Sequence, residues 1–349
     1  MEKYGYRFSF GPWNIHEGAD PFGPPVRSAR DFESKLAVFK ELGFDMVQFH
    51  DDDAVPGLDD FAPEQMRQQA RAMRQRITDQ GLAAEFVAPR LWEHPMTIDG
   101  AFTSNDAQAR SYALDRAKKA IDIAHELDTD LLVLWLAREG TYMREAKDAL
   151  RATQQLLDAL NTLLDYDARI RIAIEPKPNE PMDMSYIPTT GHGLALGYQT
   201  SHPARMGVLM ESAHAILAGL DPSDEISFAM SCGKLWSVHL NDQNGPKYDQ
   251  DRSFGSVDVR RAFNQARVLD NNRYWQTGVI GLDVKAVRTQ PTSIATKHLR
   301  NSLHTFLRLV EISRSLDQQK IDALIKERDY EELDWLILNS LMGHLSDEH

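Results

Sequence analysis

The chain has 349 residues, and its 39 Lys and Arg against 52 Asp and Glu give a formal charge of −13. With 42% hydrophobic and 26% charged residues it can bury a large core, which argues against a disordered chain. The acidic balance disfavours nucleic acid and anionic membrane surfaces as partners, and favours a small ligand that is neutral or bridged by metal.

Cysteine usage and the chain start narrow the class of protein further. The single Cys232 excludes an intramolecular disulfide and a cysteine-rich zinc or iron–sulfur site. The first residues lack the apolar core of a signal peptide, and the longest apolar run, Leu131 to Ala137, is far shorter than the roughly 20 residues that span a bilayer. We therefore expect a soluble, cytoplasmic protein.

Short apolar segments alternate with long amphipathic ones, which is typical of βα units around a parallel sheet. The predicted strands are Tyr6–Trp13, Met46–His50, Ala83–Ala88, Leu131–Trp135, Ile170–Glu175, Met206–Met210, Leu235–Asn241 and Val279–Val284. At about 150 residues per domain the length suggests two domains, but eight strands predict one α/β domain, a (β/α)8 TIM barrel.

Between the strands, apolar residues at three- and four-residue spacing predict helices. The clearest are Ser28–Leu42, Pro63–Gln80, Asp106–Leu127 and Lys147–Leu164. The chain from about Ser302 onward is helical in pattern, without a further strand. We therefore expect a catalytic barrel over residues 1–300 and a C-terminal helical extension over 301–349, outside the barrel or at a subunit interface.

The active site of a (β/α)8 barrel lies at the C-terminal ends of the strands. Polar or aromatic side chains occur at every predicted strand end: Trp13, His50 to Asp53, Arg90 to His94, Trp135, Glu175 to Glu180, Glu211 with His214, His239 to Asp242, and Asp283 with Lys285. Packing alone requires none of these groups.

Each of these groups also has a purely structural explanation. The alternatives are an ion pair of Glu175 with Lys177, helix capping by Glu211 and His214, solvated loop positions for Asp249 and Asp251, and a hydrogen-bonded core position for His239. Together the alternatives are weak, because burying several carboxylates at one barrel mouth without cations costs several kcal/mol each.

Divalent metal ions would turn this repulsion into shared ligation. Asp249 and Asp251, two residues apart in an extended loop, can face the same ion. Glu211 can bridge two ions, with His214 offering an imidazole to one of them. Because no thiolate is available, an oxygen-rich set with imidazoles suits Mg²⁺, Mn²⁺ or Co²⁺.

Several motifs of the chain resemble those of xylose isomerase, the aldose–ketose isomerase also called glucose isomerase. They are Phe8-Ser-Phe-Gly-Pro-Trp13, Asp20-Pro-Phe-Gly23, Phe49-His-Asp-Asp-Asp53, Phe102-Thr-Ser-Asn-Asp106, Ala137-Arg-Glu-Gly140, Ile174-Glu-Pro-Lys-Pro-Asn-Glu-Pro181 and Gln243-Asn-Gly-Pro-Lys-Tyr-Asp-Gln-Asp251. The resemblance runs in order from about Tyr6 to Arg300, across the whole predicted barrel.

The resemblance implies two divalent metal ions per subunit and a 1,2-hydride shift on a small sugar. The first metal would be held by Glu175, Glu211, His239 and Asp283, and the second by Glu211, His214, Asp249 and Asp251. Lys177 would hydrogen-bond the carbonyl oxygen at C1. His50, oriented by Asp53, would act as acid and base in opening the sugar ring.

The same resemblance implies an apolar pocket and an oligomer. Trp13, Trp92 and Trp135 would form walls that exclude water. Phe22 would enter the site of a neighbouring subunit, so a homodimer or homotetramer is expected. The C-terminal region is shorter than the family's intersubunit arm, which leaves the tetramer open.

Three positions depart from the family. His239 stands where the family has Asp, as in related rhamnose isomerases and ketose epimerases, and we expect it to favour Mn²⁺ or Co²⁺ over Mg²⁺. Ala88 replaces a Thr and Leu209 an Asn, which would favour a deoxy or less hydroxylated sugar. Neutral drift beside the pocket explains these two changes equally well.

The first hypothesis is therefore a metal-dependent aldose–ketose isomerase of the xylose or glucose type. The alternative is an isomerase of another aldose, such as a rhamnose-type or deoxy sugar, or a ketose epimerase on the same fold. A third hypothesis, from another class, is a sugar-binding protein without catalytic activity.

Overall fold

Eight parallel strands close into a barrel in this computed structural model, which describes residues 3–343. The strands are β1 Phe8–Phe10, β2 Met46–His50, β3 Ala83–Ala88, β4 Leu131–Trp135, β5 Arg171–Glu175, β6 Met206–Glu211, β7 Leu235–Leu240 and β8 Ile280–Leu282. Their order around the barrel is β1-β8-β7-β6-β5-β4-β3-β2. The predicted (β/α)8 barrel is confirmed.

Helices surround this barrel and continue beyond its last strand. They are α1 Phe32–Leu42, α2 Asp51–Ala54, α3 Pro63–Thr78, α4 Ala107–Glu126, α5 Ala149–Tyr166, α6 Thr190–Gln199, α7 Ser212–Leu217, α8 Pro222–Ser231, α9 Val259–Asn271, α10 Lys297–Ser315, α11 Gln318–Glu327 and α12 Tyr330–Leu341. The predicted helical C-terminal region is confirmed over its described part.

Element ends differ from the sequence prediction where local chemistry intervenes. Trp13 lies in a single 3-10 turn, Pro12–Asn14, because Pro12 has no N–H for the sheet. Helix α1 begins at Phe32 rather than Ser28, since the Asp31 carboxylate accepts a hydrogen bond from the Ser34 N–H and caps the helix there. An antiparallel pair of two-residue strands, Gly140–Thr141 with Met184–Ser185, was not predicted.

Side chains fill the barrel interior below the C-terminal mouth. Phe86, Val133 and Leu209 form part of an apolar cluster there. Beneath them the buried Glu85 carboxylate accepts hydrogen bonds from the Ser9 and Ser237 hydroxyls. A ligand can therefore reach the polar strand ends from the mouth, while the layers below act as packing.

Helix α10 packs directly against the barrel through an aromatic side chain. The Phe306 ring contacts Tyr6 and Phe8 edge-on, at 5.0 and 5.9 Å between centroids. The Arg314 guanidinium donates two hydrogen bonds to Asp270 of α9, at 2.8 and 2.7 Å. The domain boundary at residue 300 stays a prediction, and α10 runs across that position.

Among residues 3–343, no helix has both the length and the apolar character that a bilayer span needs.

An ion pair in the interior ties helix α4 to the end of strand β2. The Arg116 guanidinium, 7% exposed, donates two hydrogen bonds to the fully buried Asp51 carboxylate, at 2.7 and 2.9 Å. Arg116→Met removes both donors and leaves the buried charge uncompensated, so we expect the free energy of unfolding to fall by about 3–5 kcal/mol. Urea denaturation would measure the change.

A matched control separates this effect from the loss of a positive charge. Arg74 pairs with Asp128 at 2.6 Å on the surface of α3, and both side chains are exposed. We expect Arg74→Met to cost no more than about 1 kcal/mol. Equal losses in the two variants would contradict a special role for the interior pair.

Candidate active site

The predicted site residues surround one cavity of about 620 Å³ at the C-terminal mouth of the barrel. Its lining includes Trp13, His50, Trp92, Trp135, Glu175, Lys177, His214, His239, Asp249, Asp251 and Asp283. Strand register explains this convergence, since Trp135 is paired with Glu175 and Glu211 with His239 across neighbouring strands. Glu211 and Asp53 are not among the lining residues; Glu211 contacts His214 and His239, and Asp53 contacts His50.

A first donor cluster forms at the ends of β5 to β8. His239 Nδ1 lies 3.5 Å from Glu175 Oε1 and 3.3 Å from Glu211 Oε2. Ligand atoms of Glu211, His239 and Asp283 lie within 4.8 Å of one another. Gly281 allows β8 to pack closely here, because a Cβ there would collide with the Val238 backbone oxygen and would stand 2.5 Å from Gln48 Nε2 and 3.2 Å from His239 Cδ2.

A second donor cluster shares Glu211 with the first. His214 Nε2 lies 3.2 Å from Glu211 Oε1 and 3.2 Å from Asp249 Oδ2. Donor atoms of Glu211, Asp249 and Asp251 also lie within 4.8 Å of one another. The Asp249 and Asp251 side chains are 14% and 3% exposed, so the alternative of solvated loop carboxylates is wrong.

Two lysines neutralise part of this negative charge. Lys177 Nζ lies 2.9 Å from Asp249 Oδ2 and 3.4 Å from Glu180 Oε2, and the proposed pairing of Lys177 with Glu175 is not formed. Lys285 contacts Asp251. Burial alone would lower the pKa of each ammonium group, but the carboxylates around them raise both values above the ordinary range.

Asn241 connects the two clusters and was not assigned from the sequence. Its amide Nδ2 lies 2.9 Å from Glu211 Oε1 and 3.2 Å from Asp251 Oδ1, and it donates to the Asp283 backbone oxygen at 2.9 Å. Its Oδ1 accepts from the Ala213 N–H at 2.7 Å. The sequence could have indicated this position, because Asn241 lies two residues after His239 and continues the same face just beyond the end of β7.

The pKa values of Glu211 and Glu175 are shifted in opposite directions in the metal-free protein. Burial raises the pKa of Glu211 to about 7. Burial acts in the same direction on Glu175, but its hydrogen bond and charge interaction with His239 prevail and lower its pKa to about 2. The pair therefore behaves as one coupled group that holds a proton near neutral pH.

These residues fit a divalent metal ion. Asp249 Oδ1, His214 Nδ1 and His239 Nε2 are buried without a hydrogen-bond partner among the described residues. Buried carboxylates that face one another are costly unless a cation is shared between them. The oxygen-rich donor set with two imidazoles suits Mg²⁺, Mn²⁺ or Co²⁺.

Aromatic rings line the other half of the cavity, at the ends of β1 to β4. The His50 ring stacks on Trp13 at 4.1 Å between centroids and meets Trp92 edge-on at 5.2 Å. Trp92 in turn contacts Trp135 at 4.5 Å. Trp13 Nε1 donates to Asp283 Oδ1 at 3.0 Å, which joins the aromatic half to the acidic half.

The polar residues beside His50 form an ion-pair network rather than a third donor cluster for metal. His50, Asp52 and Asp53 offer close donor atoms. The Arg90 guanidinium already lies among them, with Nη2 2.7 Å from His50 Nδ1 and Nε 2.9 Å from Asp52 Oδ1. Asp53 Oδ2 lies 3.2 Å from His50 Nδ1, as the resemblance implies, but the contact with Arg90 was not anticipated.

The remaining positions singled out in the sequence lie in different surroundings. Ala88 lines the cavity, whereas Leu209 is fully buried in the barrel interior and does not line it, so the expectation that both border the pocket holds for Ala88 only. Phe22 is 79% exposed and contacts Tyr248 of its own chain edge-on at 5.3 Å. Its neighbour Pro21 lines the cavity.

Comparison with known proteins agrees with this architecture. Residues 36–302 match the family described as xylose isomerase-like TIM barrel. A D-tagatose 3-epimerase-like protein superposes with a TM-score of 0.62 at 15% identity, covering 87% of this chain and 98% of that one.

Two further solved structures have the same fold. D-psicose 3-epimerase, in a structure determined with D-fructose, superposes with a TM-score of 0.62 at 13% identity, covering 87% of this chain and 99% of that one. A xylose isomerase domain protein from Alicyclobacillus acidocaldarius gives 0.60 at 13% identity, over 88% of this chain and 99% of that one.

The site predicts a pH-dependent stability in the metal-free protein. Burial raises the pKa of Glu211 to about 7 from an ordinary 4.5. Burial would lower the pKa of His214, but the Glu211 and Asp249 carboxylates raise it to about 9 from 6.5. A raised folded-state pKa means that the group's stabilising contribution is complete below the ordinary value and is lost as pH rises through the folded value. Stability should therefore fall from about pH 4.5 to 9.

Metal should reverse this loss, because its ligands must be deprotonated and its affinity rises with pH. With EDTA, we expect Tm to fall between about pH 6 and pH 8; with Mn²⁺ at about 100 times its Kd, stability should rise by about 2.7 kcal/mol. Differential scanning fluorimetry would measure both.

Two variants serve as the comparison for this experiment. Glu211→Gln should abolish most of the metal response, because Glu211 belongs to both donor clusters. Glu93→Gln, at an exposed position that pairs with Arg90 and lies outside the donor clusters, should keep it. A metal response that is absent at every pH, or equal in both variants, would contradict the metal site.

Proposed function

The chain belongs to the xylose isomerase-like TIM barrel family, and we propose that it is a metal-dependent sugar epimerase or isomerase, with ketose epimerisation as the first candidate activity. The observation that carries the proposal is the arc of donors at the ends of four consecutive strands, β5 to β8: Glu175, Glu211, His239 and Asp283. This arc faces a cavity of sugar size.

The arc would hold one divalent ion, which as a Lewis acid polarises a carbonyl and so acidifies the neighbouring C–H bond. Glu175, which lines the cavity, would accept that proton on one side of the carbon. Asp283, at the other end of the arc, would act in its protonated form and deliver its proton to the opposite side, so that the carbon loses one proton to Glu175 and gains one from Asp283. Breaking and re-forming the C–H bond on opposite faces inverts the carbon.

Two features favour epimerisation over an isomerase of the xylose or glucose type. The solved structures with this fold include a D-tagatose 3-epimerase-like protein and D-psicose 3-epimerase. His239 also replaces the Asp that the resemblance to xylose isomerase would require, while ketose epimerases use His in such a site. The alternative drawn from the sequence is therefore better supported than its main hypothesis.

Aldose–ketose isomerisation by 1,2-hydride shift is the second candidate, and the second donor cluster favours it. His214, Asp249 and Asp251 would hold a further ion beside the first through the shared Glu211. Lys177, 8% exposed, presents its ammonium group to the same cavity and can donate a hydrogen bond to a carbonyl oxygen. A hydride shift moves hydrogen between neighbouring carbons without exchange with water.

We further propose that the protein acts as a homo-oligomer. Phe22 lies beside the cavity rim with 79% of its surface exposed, so a second subunit can cover it. The loop that carries it also supplies Pro21 to the cavity lining. A partner subunit that buries Phe22 would close the mouth against water.

Assays on a panel of ketoses and aldoses, each with Mn²⁺, Co²⁺ and Mg²⁺, test the proposed function. We expect inversion at a carbon next to the carbonyl of a ketose, and in D₂O we expect solvent deuterium at that carbon, because the proton passes through a carboxylate. NMR of the product identifies both changes.

The same experiment separates the other hypotheses. An aldose–ketose product with little deuterium at the transferred position would establish the second candidate instead. Binding of sugars without turnover under any of the three metals would refute both candidates and leave the non-catalytic binding protein.

His239→Asp tests whether the imidazole sets the choice of metal. Replacing the nitrogen donor with a carboxylate restores an all-oxygen first cluster, which suits Mg²⁺ better. We expect the ratio of Mn²⁺- to Mg²⁺-supported activity to fall by roughly tenfold, the scale on which local changes alter metal affinity. Titration of each metal against activity would measure it.

The control for this prediction is His94→Asp, which makes the same change at a half-buried histidine near the mouth but outside the donor clusters. It should leave the metal ratio unchanged. An unchanged ratio in His239→Asp as well would show that His239 does not determine metal preference.

A further inference from the structure

His50 has two neighbours that make opposite demands on the same ring nitrogen. Asp53 Oδ2 lies 3.2 Å from Nδ1 and, as a carboxylate, can only accept a hydrogen bond. Arg90 Nη2 lies 2.7 Å from the same Nδ1 and can only donate one. Because Nδ1 cannot be protonated for Asp53 and unprotonated for Arg90 at once, one contact must determine the tautomer.

We propose that Arg90 is a positioning residue that holds His50 in the tautomer protonated at Nε2, so that His50 presents a hydrogen-bond donor to the cavity. His50 Nδ1 lies 2.7 Å from Arg90 Nη2 but 3.2 Å from Asp53 Oδ2, so the contact with Arg90 is shorter by 0.5 Å. Only an unprotonated Nδ1 can accept from a guanidinium N–H at such a distance, because two N–H groups would otherwise point at each other.

The Arg90 guanidinium is held in place from several sides. Its Nε lies 2.9 and 3.0 Å from the two carboxylate oxygens of Asp52, and its Nη1 lies 3.2 Å from Glu93. Asp52 is itself 3.3 Å from the guanidinium group of Arg116, a residue of α4 that the interior ion pair holds against Asp51. Arg90 therefore cannot leave Nδ1 without breaking interactions with two carboxylates.

The orientation of the His50 ring leaves Nε2 for the substrate. The ring is held between Trp13, stacked at 4.1 Å, and Trp92, edge-on at 5.2 Å. Arg90 and Asp53 contact Nδ1 of this ring, and His50 lines the cavity. With the proton on Nε2, His50 donates to a sugar oxygen; with the proton on Nδ1, it would accept from a hydroxyl.

This difference decides which ring-opening role His50 can take. In the arrangement implied by the resemblance, Asp53 accepts from Nδ1–H and leaves Nε2 free to remove a hydroxyl proton. In the arrangement proposed here, Nε2–H is a donor suited to a ring or carbonyl oxygen. That use of His50 rests on the proposed function, but the tautomer itself does not, so the two can fail separately.

Histidine ring ¹⁵N NMR of the full-length, Mg²⁺-loaded protein tests the proposal without any turnover. The His50 resonances are assigned by their absence in His50→Gln. In the native chain we expect Nε2 to carry the proton and Nδ1 to be unprotonated. In Arg90→Met, Asp53 becomes the remaining partner of Nδ1, and we expect complete transfer of the proton to Nδ1.

Two further variants separate positioning from general disruption of the loop. Arg90→Lys keeps a cationic donor and should retain the native tautomer. Asp53→Asn removes the competing carboxylate and should leave Nε2 protonated. Far-UV circular dichroism and Tm show that each variant is folded.

The outcomes are distinct. A native His50 protonated at Nδ1, or on both nitrogens, would overturn the proposal. So would an Arg90→Met spectrum with the native tautomer, or a change of tautomer in Asp53→Asn. Observation of the expected tautomers in a protein that turns over no sugar would leave this inference standing and remove the proposed function.

Discussion

The constraint on which this structure depends is the repulsion among carboxylates that the barrel mouth removes from water. Glu175 and Glu211 are buried side by side, and Asp249 and Asp251 approach Glu211 from the adjoining loop. In a low-dielectric site such a group is tolerated only where cations and donors surround it. Lys177 and the imidazoles therefore contribute to the stability of the fold as well as to the chemistry of the site.

The barrel solves this problem by register and by the size of a few side chains. Parallel pairing of β6 with β7 sets Glu211 beside His239, so donor and acceptor meet without a loop rearrangement. Gly281 allows β8 to pack closely against β7, because a Cβ there would collide with the Val238 backbone oxygen and the Gln48 side chain. Phe86 and Leu209 belong to the apolar cluster that fills the interior below the mouth. Asn241 then fixes the distance between the two donor clusters.

The sequence was sufficient for the barrel and for the donors at the strand ends, because both follow from short-range regularities. Apolar periodicity located every barrel strand, and residues that follow a strand must lie at its end. It was insufficient for Arg90 and Leu209. Arg90 meets His50 from 40 positions away through a loop conformation that no periodicity encodes. Leu209 precedes Glu211 by two residues on the same face of β6 and is fully buried, so it packs inside the barrel and does not line the cavity.

The mouth is divided into two halves of different chemistry, and that division orients any substrate. The ends of β5 to β8 supply carboxylates and imidazoles, while the ends of β1 to β4 supply indoles and His50. In the proposed function, a sugar bound between them would turn its carbonyl, and the C–H bond beside that carbonyl, toward the carboxylates of the first half and would pack another face against the rings of the second. The halves are joined at both seams, by Trp13 with Asp283 at 3.0 Å and by Lys177 over the Trp135 ring at 5.3 Å. Trp13 and Trp135 therefore hold, by direct contact, two of the charged side chains that the proposed function needs in fixed positions.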